Sequence, residues 1–274
     1  MPIDTIANIK FDKEIISYLS VLKPAAVMIL LAPSETDLKD IIRLTVLDLT
    51  LKKVLSIQRK EVQLHPSDPY KRLRTFVETD TNFNTYRKSV YETYFTGIID
   101  EYSYFHLYSY VFRVYDELPV DNTVKKSIIK EQKIRNLFSI VFVFDTLSVF
   151  RLNRNGVKIR NEIIRYIVTI EQNLEQIIED SPKQALRLVS FLKGNFFLLR
   201  NIPAEVLEKL NNLIQLHKKE LKDEYFDLFD IFEFSDIFFS DISEEIKELL
   251  EKIESSYSSI ERGSSDINPR DLYI

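Results

Sequence analysis

Three histidines, His65, His106 and His217, are the chain's whole supply of imidazole, and none has a second at metal-ligand spacing. A His-Glu-x-x-His zinc centre is therefore excluded, and each histidine reads as a solvent-facing or partly buried side chain. Cysteine is absent, which removes thiolate metal sites and any disulfide framework. The four glycines, Gly97, Gly156, Gly194 and Gly263, stand too far apart for a phosphate cradle, a dinucleotide fingerprint or a Gly-x-Ser-x-Gly nucleophile elbow. The paired Glu-x-x-His motifs of di-iron proteins are missing as well. Carboxylates are plentiful, and the sharpest set is Asp227, Asp230, Glu233 and Asp236. Spaced three apart, they drift across one helical face and could hold Mg²⁺. With no second acidic motif to face them, they read instead as the solvated side of an amphipathic helix that buries Phe226, Phe229 and Phe232. No catalytic residue, metal or cofactor is expected, and the chain reads as non-enzymatic.

Cations and tyrosines are the other candidates, and both concern binding. One basic group is Lys52, Lys53, Arg59, Lys60, Lys71, Arg72 and Arg74; a second is Lys125, Lys126, Lys130, Lys133 and Arg135, continued by Arg151, Arg154, Lys158 and Arg160. From residue 201 onward 18 acids face 8 bases, whereas the preceding 200 residues carry 29 bases and 24 acids. Phosphate contact supplies nucleic-acid affinity, so a net charge of −5 weighs against that function even though the first cluster favours it. Eight of the 14 tyrosines lie between Tyr86 and Tyr115. Tyr91, Phe95, Ile98, Tyr102, Phe105, Tyr108, Phe112 and Tyr115 are spaced three or four apart, which predicts one face of a long helix. Tyr94, Tyr104 and Tyr110 fall off that stripe, so either the helix is wrapped on two sides and they are core, the favoured reading, or they face a protein partner.

The elements that must position these residues are mainly helical. Ile15, Ile16, Leu19 and Leu22 predict a short amphipathic helix, and Pro24 opens a second to Leu31. Ser34 to Asp37 supplies capping residues for a third, with Leu38, Ile41, Ile42, Val46, Leu47 and Leu49 as its apolar set. From Val54 the apolar period shortens, predicting a small β-hairpin that closes near Gln58 to Glu61. His65 to Pro69 reads as a turn-forming linker, and Asn155-Gly156 as a turn or helix stop. Ile163, Ile167, Ile170, Leu174 and Ile177 predict an amphipathic helix from Arg160 to Glu179. Further helices are expected from Pro182 to Leu192, from Pro203 to about Lys222 and from Ser243, the last with Ile246, Leu249, Leu250 and Ile253 on one side. The apolar runs Pro24–Pro33 and Leu137–Phe150 fall short of the ~20 residues a membrane span needs and read as buried core. With no signal-peptide pattern at the N-terminus and no cysteine, a cytoplasmic protein is expected.

The letters AAVMILLAPSETDLKDIIRLTVLDLTLKKVLSI follow an order of short apolar helix, acidic cap, helix ending in Leu-Asp-Leu, then strand. Residues 23–57 thereby resemble winged-helix segments of uncharacterised bacterial cytosolic domains and of Golgi-phosphoprotein-like lipid-binding proteins. The resemblance implies a winged-helix fold for this stretch and transfers no functional residue. It departs in one place: those families often set a glycine before the strand, where this chain has Lys53-Val54.

The expected architecture is mainly α: an N-terminal winged-helix-like unit with a short β-hairpin over residues 1–65, an irregular α-helical domain over 66–254, and a polar, disordered tail over 255–274. The favoured function is a protein–protein interaction or scaffold module with a protein partner, self-association being left open. The alternatives are nucleic-acid binding through the winged-helix unit, using the first basic cluster, and peripheral membrane binding.

Overall fold

The computed structural model describes residues 5–6, 9–63, 70–101, 103–144, 147–217 and 239–261. The fold is mainly helical, with small antiparallel sheets. Two compact units divide the chain, each from two stretches: Met1–Leu51 with Val120–Ser235, and Lys52–Pro119 with Asp236–Ile274. The division falls at Leu51, and the expected boundary at residue 65 does not coincide with it.

In the first unit a short hairpin, β1 (Thr5–Ile6) with β2 (Ile9–Lys10), precedes α1 (Lys13–Val21), α2 (Pro24–Leu31) and α3 (Leu38–Leu51). Their starts follow ordinary capping chemistry: Asp12 Oδ1 accepts from the Glu14 N–H at 2.9 Å, Pro24 occupies the first turn of α2, and Asp37 Oδ1 accepts from the Asp40 N–H at 2.9 Å. Helix α2 buries every residue but Leu31, so α3 alone cannot cover it. Later parts of the chain complete its surroundings: α6 (Asp121–Glu131), α7 (Arg154–Asp180) and a 3-10 helix (Lys193–Leu198) all pack on it. Asn195 ties this 3-10 helix to the end of α1, its amide donating to the Leu19 and Leu22 carbonyls at 2.8 and 2.9 Å. Helix α7 buries the expected Ile163, Ile167, Ile170, Leu174 and Ile177, and against it lie α8 (Pro182–Leu192) and α9 (Ala204–His217).

Two expectations in this unit are corrected, at Asn155-Gly156 and at Lys125. The apolar run after Leu137 contributes a hairpin, β6 (Phe138–Phe144) with β7 (Leu147–Leu152). Asn155-Gly156 does not stop a helix; it lies in the first turn of α7, where Asn153 Oδ1 accepts from the Gly156 N–H at 2.9 Å. Glycine is required there because a Cβ would stand 2.2 Å from the Leu137 carbonyl oxygen. Lys125, read from sequence as one of a cationic cluster, is buried and paired with Asp121 at 2.8 Å.

The second unit holds a three-stranded sheet in the order β3 (Leu55–Gln63), β4 (Lys71–Thr79), β5 (Tyr104–His106). It also contains α4 (Thr93–Thr96), α5 (Leu107–Glu117) and α10 (Phe239–Glu261), the last packed along α5. Strand β3 runs straight through Gln58–Glu61, the expected hairpin closure, because its nine residues pair with all nine of β4. The expected linker, residues 65–69, therefore separates two paired strands, and its own structure lies outside the described residues. The aromatic stripe is not one helix. Among the described residues Tyr91 sits in a turn, Phe95 in α4 and Phe105 in β5, and only Tyr108, Phe112 and Tyr115 share a helix, α5; Tyr102 lies outside the described residues. The final helix begins before Ser243 and continues past residue 255 to Glu261; the rest of the expected tail and the Asp227–Asp236 acids lie outside the described residues.

A chain with few glycines places lysine where glycine is usual. Lys53, Lys133 and Lys193 have φ of 52°, 57° and 50°. At Lys193 the ψ of −132° makes the strain larger. Lys193→Gly is expected to raise urea-unfolding stability by about 0.5–1 kcal/mol. Gly156→Ala is expected to lower it by about 1–3 kcal/mol. A shift of the opposite sign at either position contradicts this account.

Candidate functional site

The pleat of β3 and β4 sorts the cations predicted to act together. In an antiparallel pair, directly opposed residues share a face and successive residues alternate. One face carries Leu55/Thr79, Ile57/Val77, Arg59/Thr75, Glu61/Leu73 and Gln63/Lys71; the other carries Ser56/Glu78, Gln58/Phe76, Lys60/Arg74 and Val62/Arg72. Strand β5 adds Tyr104 and His106 to the second face, opposite Glu78 and Phe76. Leu55, Ile57, Thr75 and Val77 are buried, so the first face is inward there; Lys60, Arg72, Arg74, Tyr104 and His106 are exposed, so the second is outward.

Three of the seven predicted cations thus gather on the outer face: Lys60, Arg72 and Arg74. The other four stand elsewhere. Arg59 points inward, donating to Glu245 on α10 at 3.3 Å with Asp241 at 3.9 Å. Thr75, opposite it, donates to the same Glu245 carboxylate at 3.0 Å. Lys71 lies on Arg59's face of the sheet but beyond the buried part, where it is exposed. Lys52 and Lys53 precede β3; the Lys52 ammonium lies 5.7 Å from the Tyr86 ring centroid, and Asn82 holds both lysine carbonyls.

The three off-stripe tyrosines also separate. Tyr110 is fully buried and its hydroxyl donates to the Phe95 carbonyl at 2.9 Å, so it is a core residue and faces no partner. Burial drives its pKa far above the usual phenol value. Tyr94 is half-buried in α4. Tyr104 is 67% exposed and stands on the outer face.

The aromatic part of that face is built around Phe76, which is itself buried. The His106 ring lies 4.4 Å from it at an interplanar angle of 33°, and the Tyr104 ring meets it at 5.5 Å and 71°. Burial against this cluster, followed by the charge of Arg74, lowers the His106 pKa. Glu78, opposite Tyr104, is an acid within the same face and binds Lys60 at 3.3 Å and the Gln58 amide. Sequence reading missed Phe76 and His106 because both were assigned to a helical region, where the alternation that puts them beside Arg74 does not exist.

Two further features belong to the supporting frame. Tyr257 on α10 stacks on Phe112 and Tyr115 and donates to Asp116 at 2.8 Å; burial first, then this bond, pushes its pKa up to about 12. Glu92 is buried and accepts from the Ser89 N–H at 2.7 Å and the Tyr86 hydroxyl at 3.1 Å, closing the turn before α4. Among the described residues no group of histidine, aspartate and glutamate is arranged to hold a metal, and no helix is long and apolar enough to cross a membrane. No protein-family model, curated protein or solved structure matches the chain.

Because folding lowers the His106 pKa, the unfolded chain takes up this proton first as the pH falls. The stabilisation is complete above the unfolded value, about 6.5, and is lost progressively as the pH falls below it. Urea midpoints measured at about pH 7.5 and about pH 5.5 are expected to differ less in His106→Gln than in the unaltered protein. Equal differences would remove His106 from the acid response.

Proposed function

We propose that this protein binds nucleic acid, without enzymatic turnover, through the outer face of the β3–β4–β5 sheet. The observation that carries the reading is the segregation of Lys60, Arg72 and Arg74 onto one exposed face together with Tyr104 and His106, while Arg59 meets the acids of α10 on the other. Cations supply affinity for a phosphate backbone and exposed aromatics add contact to the bases. The winged-helix resemblance would make α3 the reading element, but α3 offers two cations, Lys39 and Arg43, each beside an acid at 3.6 Å, against three on the sheet face, where Lys60 meets Glu78 at 3.3 Å. The sheet face is the stronger surface of the two.

A protein partner is the second reading, favoured by Tyr70 and Leu73, which are 73% and 62% exposed near the far end of the hairpin. Such a partner would bind with little salt dependence and lose affinity in Leu73→Ser. The nucleic-acid reading makes a different prediction. Three phosphate-contacting cations give a slope of log K against log salt of about −2 for a single strand. In fluorescence-anisotropy titrations the double variant Arg72→Glu/Arg74→Glu is expected to lose at least about tenfold in affinity at low salt. A charge reversal elsewhere, Lys158→Glu on the exposed side of α7, is expected to change little. Flat titrations with oligonucleotides at low salt, from a folded sample, reject the reading.

A further inference from the structure

Resting on that reading, we infer that the outer face takes single-stranded nucleic acid, with an unpaired base stacked on Tyr104 and the phosphates beyond it held by Arg74, Lys60 and Arg72. The order of groups along the face is what selects a single strand. Same-face positions of a strand repeat about every 6.6 Å, so the rows Glu78/Tyr104, Phe76/His106, Lys60/Arg74 and Val62/Arg72 extend for about 20 Å. The aromatic end comes first, the cationic end last, and nothing alternates between them.

Tyr104 is suited to stacking on two counts. Its exposure leaves ring surface open to solvent, and contact with Phe76 limits the positions the ring can take. Phe76 is held in turn by the His106 ring, so the platform is formed before a ligand arrives and less ordering entropy is lost on binding. A duplex keeps its bases stacked on one another and has no unpaired face to offer Tyr104; it would meet the arginines alone. Glu78 gives the strand a direction across the face. Its carboxylate turns to Lys60 and the Gln58 amide on β3, so phosphate is favoured further along the face over Arg74 and Arg72 while the base turns toward Tyr104 on β5.

The test uses the full chain and labelled oligo(dT), oligo(rU) and a DNA duplex of the same length, titrated by fluorescence anisotropy at low and moderate salt, with circular dichroism to verify folding. Tyr104→Ala is expected to weaken single-strand binding about tenfold and to leave duplex binding unchanged, as one lost base stack requires. Tyr104→Phe, which keeps the ring and removes only the hydroxyl, is expected to retain affinity. Tyr104→Ala removes one ring contact to the buried Phe76, Tyr104→Phe keeps it, and circular dichroism of both variants separates a folding defect from a lost stack. Arg72→Glu/Arg74→Glu is expected to weaken every probe. Single-strand affinity unaffected by Tyr104→Ala, or duplex affinity equal to that of the single strands, overturns the inference while leaving nucleic-acid binding intact. If no oligonucleotide binds, both fail, and phosphatidylserine vesicles run alongside show whether the cationic row serves a membrane surface instead. Comparison of the oligo(dT) and oligo(rU) arms separates a DNA ligand from an RNA ligand.

Discussion

Which charges act together on this protein is decided by the pleat of one antiparallel pair. With β3 and β4 in register from Leu55↔Thr79 to Gln63↔Lys71, every side chain is committed to a face, and a slip of one residue would exchange the two sets completely. Burial of Leu55, Ile57 and Val77 fixes the choice, since exposing that trio and burying Lys60 and Arg74 instead would be heavily unfavourable. The gathering of Lys60, Arg72, Arg74, Tyr104 and His106 is therefore a consequence of where three aliphatic side chains must go.

Helix α10 completes the arrangement from the inner side. Glu245 accepts from both Arg59 and Thr75, so the one predicted cation of β3 that points inward is answered by an acid at hydrogen-bonding distance. Removing the carboxylate would leave Arg59 with only the longer contact to Asp241 and Thr75 without its acceptor. The same helix reaches α5 through Tyr257, which stacks on two aromatic rings and bonds Asp116. Sheet, α5 and α10 are thus joined by specific polar contacts and by the rings around Tyr257.

Much of the first unit was legible in the sequence. Helices α1, α2, α3 and α8 lie where their apolar periods and caps put them, because each is amphipathic or fully apolar over its whole length and opens on a recognisable capping or proline residue; α7 buries its expected face but starts at Arg154 rather than Arg160, because Asn153 caps it ahead of Asn155-Gly156. The second unit was not. Its aromatics fall by coincidence at three- and four-residue spacing, and the spacing alone cannot distinguish one long helix from a turn, a short helix, a strand and a second helix in succession. Only tertiary pairing decides, as it does where Phe76 meets His106 across β4 and β5. The hairpin was found but misplaced, since charged residues in the middle of β3 imitate a turn when the strand is exposed on one side. Lys53 illustrates a subtler loss. The chain here adopts the left-handed backbone that glycine favours while carrying a lysine. The conformational requirement is present and its usual marker is not.

The acidic balance of the whole chain weighs less on the sheet than composition suggests. Coulomb energy falls with distance, and in physiological salt exposed charges are screened over about 8 Å. A phosphate over Arg74 would meet that guanidinium with Lys60 and Arg72 on the same face, whereas Asp241 and Glu245 of α10 lie on the other face with Arg59 directed at them. Glu78 is the acid within the outer face, and Lys60 already offsets part of its charge. Local order, set by strand register, thus produces a cationic surface on a protein of net charge −5. The same register places the aromatic rings at one end of that surface and the arginines at the other, a polarity that no average over the chain can express.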